Sequence, residues 1–450
     1  MRLVRIISST DFNEYKKSIH SKPGEESEEA KVNAVVNEII AAVRAEGDTA
    51  VKRYAAQFEK EVPENFEVPL ETAKQAWEAL NSTEPELAAA LTFAADNIRR
   101  FAELQKKQFI PFEAEIAPGL FTGQQVIPFE RAAIYVPAGR FPLISSALMG
   151  LVPAAAAGVK EKLLVSPPHE DGLPHRRILA AAYLAGANRI FAIGGAQAIA
   201  ALALGTETVP KVDFIAGPGN KYVAAAKRLL FGEVGIDFVA GPTDVLIIYD
   251  KIKAAKSDAE ALNMAAKAAD LIAADMIAQA EHDPDAQARA LVPDREIAGQ
   301  IERALERRLG MLPTAETARP SLEAGALIVI YESKEEAIKI ANETAPEHLE
   351  LHLSNPDEWI SGLKNYGSLF IGSAAAEVLG DYSAGINHTL PTSGTARFAG
   401  GLSVRHFLKT VTSLRCVLGA GYAEALAAAE TIARAEGLAG HAESAALRRR

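Results

Sequence analysis

The chain has 450 residues, of which 49% are hydrophobic and 23% charged, enough for more than one hydrophobic core and ordinary for a globular protein. Its formal net charge of −11 argues against a nucleic-acid or anionic-membrane surface, which needs a basic face, and Arg448 to Arg450 read as a solvated tip. The single cysteine, Cys416, excludes an intrachain disulfide and a thiolate metal cage.

In chain order, STDFNEY (9–15) carries a helix N-cap pattern, and KVNAVVNEIIAAVRAEG (31–47) places apolar residues at helical spacing before a glycine. ELAAALTFAADNIRRFAELQKKQ (86–108) repeats that spacing. From about residue 132 the texture changes to short apolar runs ending in Pro or Gly, AAIYVP, KLLVSPP, RIFAIGG and VDFIAGPG, separated by helical patterns at 145–159, 175–186 and 197–204. DVLIIYD (244–250), ARALVPD (288–294), ALIVIYES (326–333) and SLFIG (368–372) form a second set. This alternation predicts an α/β protein with two Rossmann-like parallel-sheet domains. The expected partition is a helical segment 1–30, a first α/β domain 31–131 plus 244–395, a second 132–243, and a helical C-terminal tail 396–450. The most apolar run, ALMGLVPAAAAGV (147–159), contains Pro153 and falls short of the roughly 20 residues a bilayer requires. MRLVRIISSTDF lacks the apolar core of a secretion signal, so no membrane partner and a cytoplasmic location are expected.

Ligands of parallel sheets bind at the carboxyl ends of strands, which draws attention to AIYVPAGR (133–140), IGGAQAIA (193–200), IAGPGNKY (215–222) and VAGPTDVL (239–246). GPGN lacks the third glycine of the dinucleotide fingerprint and alone reads as a tight turn. The fourth loop is a linker or the floor of an interdomain cleft. APEHLEL (345–351) sets Glu347 beside His348 after a proline, as at a helix start; adjacent side chains on a helix diverge, so the two suit separate steps. GDYSAGINHTLPTSG (380–394) is an elaborate loop with Asp381 and His388, AEGLAGHAESA (435–445) holds Glu436 and His441, and QAEHD (279–283) closes a long alanine-rich helix. A polar helix end is the plain reading of QAEHD. Gln279, His282, Asp381 and His441 together offer two oxygens and two nitrogens, a set suited to zinc or manganese with open positions, but spacing over three segments does not establish a site.

The ordered series IYVPAGR, GGAQAIAALALGTETVPKVD, GPGNKYVAAAKR, VGIDFVAGPTDVLI, QAEHD, APEHLEL, GDYSAGINHTLPTSGTAR, GGLSV and EGLAGH resembles the histidinol dehydrogenase family, over roughly residues 30–446. The resemblance implies a zinc- and NAD-dependent enzyme, with one zinc per subunit, that oxidises a small alcohol to a carboxylate in two hydride transfers. It also implies a homodimer whose C-terminal segment reaches into the partner's active site. By matching positions, Gln279, His282, Asp381 and His441 are the expected metal ligands and also lie against substrate; Tyr135, Gln197 and Asn220 are the expected NAD positions; Ser145, Thr243, His388 and Glu436 contact substrate. Glu347 and His348 are the expected catalytic pair, His348 as general base on the alcohol and Glu347 activating the water that hydrates the aldehyde. Ala138, Arg140-Phe141 and Thr243-Asp244 depart from the family's usual residues, and GGLSVRHF and EGLAGH lean toward paralogues that oxidise 2,3-dihydroxypropane-1-sulfonate. Arg140 either meets such an anion or faces solvent, and Leu143 is apolar where a sulfonate enzyme is expected to be polar. L-histidinol is the expected substrate, the sulfonate the alternative; the intact Glu347-His348 pair speaks against a non-catalytic descendant.

Overall fold

The computed structural model describes residues 3–12, 14, 25–59, 61–138, 142–169, 171–239, 241–251 and 257–449. Two six-stranded sheets organise them. One runs Arg5–Ser8, Leu327–Ile330, Gln287–Val292, Asp244–Tyr249, His348–His352, Ser368–Ile371, with every neighbour parallel. The other runs Glu67–Val68, Arg189–Ala192, Glu161–Ser166, Arg131–Tyr135, Phe214–Ala216, Gly235–Ile236, parallel except at its first strand. Apart from the added edge strand, both follow one doubly wound order, stepping outward from a central strand and then reversing to its other side. Such a reversal opens a crevice between two strands. The eight runs read as strands are strands. Their Val, Ile and Leu content suits sheets buried on both faces, and helices cover both faces of each.

The helices distribute differently from the expected partition. Glu25–Glu46 and Asp48–Phe58 pack on one face of the 131–236 sheet, beside Gly195–Leu204 and Lys221–Leu230. Leu70–Thr83 and Pro85–Lys106 pack on its other face, with Ile144–Ala157 and Arg176–Leu184. The helices between residues 31 and 106 therefore clothe the second sheet and do not complete the first. Helical spacing identifies an apolar face but not which sheet it covers. The first sheet is covered by Asp258–Ala280, Arg295–Leu309 and Ala315–Gly325 on one side and Lys334–Thr344 on the other. It also takes an edge strand, Arg5–Ser8, from the segment expected to be helical.

Two further readings are corrected. The tail from 396 is not wholly helical: Leu408–Cys416 pairs with Leu120–Pro128, and that strand with Phe112–Ala117, in a three-stranded antiparallel sheet. Eight of that strand's nine residues are exposed, so no buried stripe marks it. Only then come helices Ala420–Ala435 and Ala439–Arg448. His348–His352 is a central strand and not a helix start; all five residues are buried, and a strand covered on both sides has no period to read. Among the described residues no helix is long and apolar enough to cross a membrane.

Two local devices set the loops at the carboxyl edge of the 131–236 sheet. At Gly217 the backbone has φ 116° and an added Cβ would lie 2.1 Å from the Tyr135 carbonyl oxygen, so only glycine fits. Both polar backbone groups of Gly217 are held: Lys227 Nζ donates to its carbonyl at 3.0 Å, and its N–H donates to Asp237 Oδ2 at 2.8 Å. Lys227 and Asp237 form an ion pair, with side chains 2% and 1% exposed. Glu59 acts on the neighbouring loop. Its Oε1 accepts from the Gly194 N–H at 2.7 Å, at the start of helix Gly195–Leu204, and from Gln197 Nε2 at 3.3 Å. Burial pushes the Glu59 carboxyl up to about 7, against the lowering effect of the Gly194 and Gln197 donors.

Removing one partner of a buried ion pair strands the other charge. Lys227→Met should therefore lower stability by about 3–5 kcal/mol in urea denaturation, and adding Asp237→Asn should restore part of it; a loss under about 1 kcal/mol contradicts the pairing. For Glu59, a folded-state pKa above the unfolded value contributes stability that is complete at low pH and lost as pH rises through about 7. Glu59→Gln, which cannot ionise, should gain on the wild type by about 1–2 kcal/mol from pH 4 to pH 8, after allowing for partial exposure. A difference independent of pH counts against it.

Candidate active site

A cavity of about 170 Å³ lies between the two sheets. From the 131–236 side it is walled by Leu143, Pro218 and Phe238, on loops that follow the carboxyl ends of the strands, and by Ser145 and Ser146 in the first turn of helix Ile144–Ala157. From the other side come Thr243, His282, Glu347, His348, Asp381 and His388. Here the carboxyl-end expectation fails: Thr243 immediately precedes strand Asp244–Tyr249, and Glu347 immediately precedes His348–His352, so the amino edge of the first sheet faces the cleft. Parallel pairing of Val245 with His348 places these two loops side by side.

That adjacency fixes Glu347. Its Oε2 accepts from the Thr243 hydroxyl and from the Asp244 N–H at 3.2 Å, while its own N–H donates to Asp244 Oδ1 at 3.1 Å. Asp244 is anchored in turn by Arg289 at 3.3 Å. Burial pushes the Glu347 carboxyl up to about 7, opposed by His348 and by the Thr243 hydroxyl. A carboxyl poised there can take a proton near neutrality.

His348 is 3% exposed. Its Nδ1 lies 3.6 Å from Glu377 and 4.0 Å from Glu347, and its Nε2 lies 3.7 Å from Asp381. Burial opposes its positive charge, but the surrounding Glu377, Glu347 and Asp381 outweigh it and hold the imidazole pKa well above its usual value. Nε2 makes no hydrogen bond although it is buried, as a proton-transferring atom awaiting a partner would be. His388 is set differently. Its Nδ1 lies 3.0 Å from the Asp381 carbonyl oxygen, so that nitrogen carries the proton, and Nε2 is left to accept from the Ser146 hydroxyl at 3.3 Å. Burial lowers its pKa, keeping it neutral.

Helix Asp258–Ala280 delivers Gln279 and, just past its end, His282. His282 Nε2 is 3.9 Å from Asp381 Oδ2; His282, Glu377 and Asp381 each present a donor atom within 4.8 Å of the others. Gln279 is fully buried. With its nitrogen on Thr243 at 2.7 Å, its oxygen is turned to the Glu377 carboxylate, acceptor against acceptor. Turned over, the amide donates to Glu377 at 3.1 and 3.2 Å and accepts from Thr243. The first orientation needs a cation, or the proton of a neutral Glu377 carboxyl, between the oxygens; the second needs neither. The donor set of nitrogen and oxygen with no sulfur fits a hard or borderline divalent ion. Glu377 was not anticipated. The signal was an acid four residues before Asp381, which one helical turn, Glu377–Tyr382, places on the same face. Ser146 was missed likewise, as the second of two serines.

The expected NAD positions stand along the carboxyl edge of the 131–236 sheet. The Tyr135 hydroxyl accepts from the Gly195 N–H at 3.1 Å, and burial pushes its pKa up to about 12. Gln197 is buried with its Oε1 unpartnered. Asn220 Oδ1 accepts from the Tyr222 and Val223 N–H groups at 3.0 and 3.1 Å, capping helix Lys221–Leu230. Glu436 and His441 are not at the cleft of their own chain. They line a separate cavity of about 430 Å³ at the two C-terminal helices. Arg140 lies outside the described residues.

Comparison with known proteins matches residues 22–449 to the family model described as histidinol dehydrogenase. A histidinol dehydrogenase of Thermus thermophilus is 46% identical over 420 residues, 93% of this chain and 95% of that protein. One from Methylococcus capsulatus is 43% identical, covering 94% and 93%. The crystal structure of histidinol dehydrogenase from Elizabethkingia anophelis superposes with a TM-score of 0.85 at 32% identity, covering 100% of this chain and 98% of that one. With the fold and the sequence in agreement across nearly its whole length, the chain belongs to the histidinol dehydrogenase family.

Proposed function

We propose that this chain oxidises L-histidinol through histidinal to L-histidine, with two hydride transfers to NAD, as a step of histidine biosynthesis. The observation that carries the reading is the pairing of Glu347 and His348 in one cleft wall, facing the donors Gln279, His282 and Asp381. In the first oxidation the alcohol carbon gives a hydride to NAD while its hydroxyl proton passes to His348 Nε2. Glu347 then takes a proton from the water that adds to the aldehyde, while His348 returns its proton to the aldehyde oxygen, which completes the hydrate and restores the base. The hydrate gives up a second hydride, again with its proton to His348. A base and a water activator on separate, rigidly held side chains suit two steps that need a proton moved from different places.

Gln279, His282 and Asp381 would hold the zinc ion, with Glu377 beside them. When bound, the ion supplies positive charge that offsets the carboxylates and holds the substrate's amine and imidazole, an orienting role. Ser145, Thr243 and His388 bind the substrate, and Tyr135, Gln197 and Asn220 bind the cofactor. We assign Glu436 and His441 of the partner subunit to the same cleft, in a homodimer with exchanged C-terminal arms. This is supported by their distance from their own cleft and by the apolar surface on the arm, where Leu414 is 68% and Leu418 81% exposed. The relatives above are histidinol dehydrogenases, which favours histidinol over a sulfonated diol. A cytoplasmic location accords with this biosynthetic role.

Two assays test the reading. Zinc-loaded protein given L-histidinol and NAD should form two NADH per histidinol, and His348→Ala should lower kcat by roughly 100- to 10,000-fold. Turnover of 2,3-dihydroxypropane-1-sulfonate alone would falsify it. For the exchanged arm, His348→Ala and His441→Ala proteins, each inactive alone, should regain NADH formation when their subunits are mixed. No recovery after demonstrated subunit exchange means that each arm serves its own cleft.

A further inference from the structure

Residues 348, 350 and 352 of the strand His348–His352 project to one face, so Glu350 and His352 continue the row that His348 begins. Glu350 is fully buried. Its Oε1 accepts from the Glu377 N–H at 2.8 Å, the first residue of the short helix Glu377–Tyr382. Its Oε2 meets His352 Nε2 at 3.2 Å. Asp275, one helical turn before Gln279 on Asp258–Ala280, hydrogen-bonds Glu350 and stands 3.9 Å from His352 Nε2. Burial and the neighbouring Glu350 push the Asp275 carboxyl up to about 8. None of these three side chains lines the cavity.

The contacts join three separate segments: the strand that begins with His348, the helix that ends in Gln279 and His282, and the short helix that carries Glu377 and Asp381. The short helix begins after Ala376, whose side chain cannot cap it, so the strand supplies the cap through Glu350. A carboxylate without donors would not stay buried, and this one is satisfied only when all three segments are in register. We propose that Glu350 is a positioning residue that sets the spacing between His348 and the donors on the two helices, and thereby the affinity of the cleft for its divalent ion, without touching ion or substrate. This rests on the metal reading proposed above.

The test titrates metal-depleted full-length protein with zinc against a competing chelator. Glu350→Gln keeps an oxygen for the Glu377 N–H, whereas Glu350→Met fills similar volume with none. Ile247→Val, a core change directly across from Glu350 in the sheet, controls for general loss of stability. Glu350→Met should bind zinc roughly 10- to 100-fold more weakly, with Glu350→Gln close to the wild type and Ile247→Val unchanged even where its melting temperature falls. Wild-type affinity in Glu350→Met, or an equal loss in Glu350→Gln, overturns the proposal. If Glu350→Met does not fold, Asp275→Ala decides: it cuts the tie to the long helix but leaves the cap, and should weaken zinc binding roughly 10-fold; unchanged affinity overturns the role of Glu350. A wild-type protein that takes up no zinc contradicts the metal reading itself, which the variants do not test.

Discussion

Three carboxyl groups, of Glu347, Glu377 and Asp381, stand within 4.0 Å of one buried imidazole, that of His348. Burial disfavours every charge in such a place, and like charges disfavour one another. Burial and the neighbouring carboxylates push Glu377 well above the ordinary carboxyl range, while the nearby His348 outweighs burial at Asp381 and keeps it below that range. In the absence of other cations the imidazolium is the balancing charge. A divalent ion among Gln279, His282 and Asp381 would take over that duty and leave His348 free to accept a proton. The reaction proposed for the cleft depends on that exchange of roles.

The architecture makes the arrangement possible by opposing two unlike edges. The carboxyl edge of the 131–236 sheet offers glycine-bearing loops, whose backbone can approach a cofactor closely, with Gly217 clamped by Lys227 and Asp237. The amino edge of the other sheet offers side chains on strand starts, which are stiffer supports than loops. Thr243 and Glu347 stand immediately before neighbouring parallel strands and are hydrogen-bonded to each other. Helix ends then bring in the donors. The helix N-termini nearest the expected cofactor residues are met by Glu59 and by Asn220, so those N–H groups already have partners within the chain.

What the sequence made legible follows from its periodicities. Short apolar runs ending in Gly or Pro mark the parallel strands, because each strand there is buried on both faces and stops at a turn. QAEHD is legible as a helix end and lies at one. The same physics explains the failures. His348–His352 is continuously buried and adjacent to a proline, so it shows no period and was read as helix. Leu408–Cys416 is almost wholly exposed and hides within a helical tail. The helices of 31–131 have clear apolar stripes, but a stripe does not name the sheet it covers. Glu377 and Ser146 became visible only when the chain was folded, since their relevance lies in what they touch and not in what surrounds them in sequence. Glu436 and His441 enter the reading only through the family resemblance, because in one chain nothing draws them toward the cleft.

The most direct measurement of the central claim is an anomalous-scattering map from crystals of the zinc-loaded protein. The account predicts one ion per chain at about 2.0–2.2 Å from the Gln279 oxygen, a His282 nitrogen and an Asp381 oxygen, with His348 Nε2 facing the cavity and unbound. An ion bound elsewhere, for instance by Asp275, Glu350 and His352, with the cleft left empty, would contradict it.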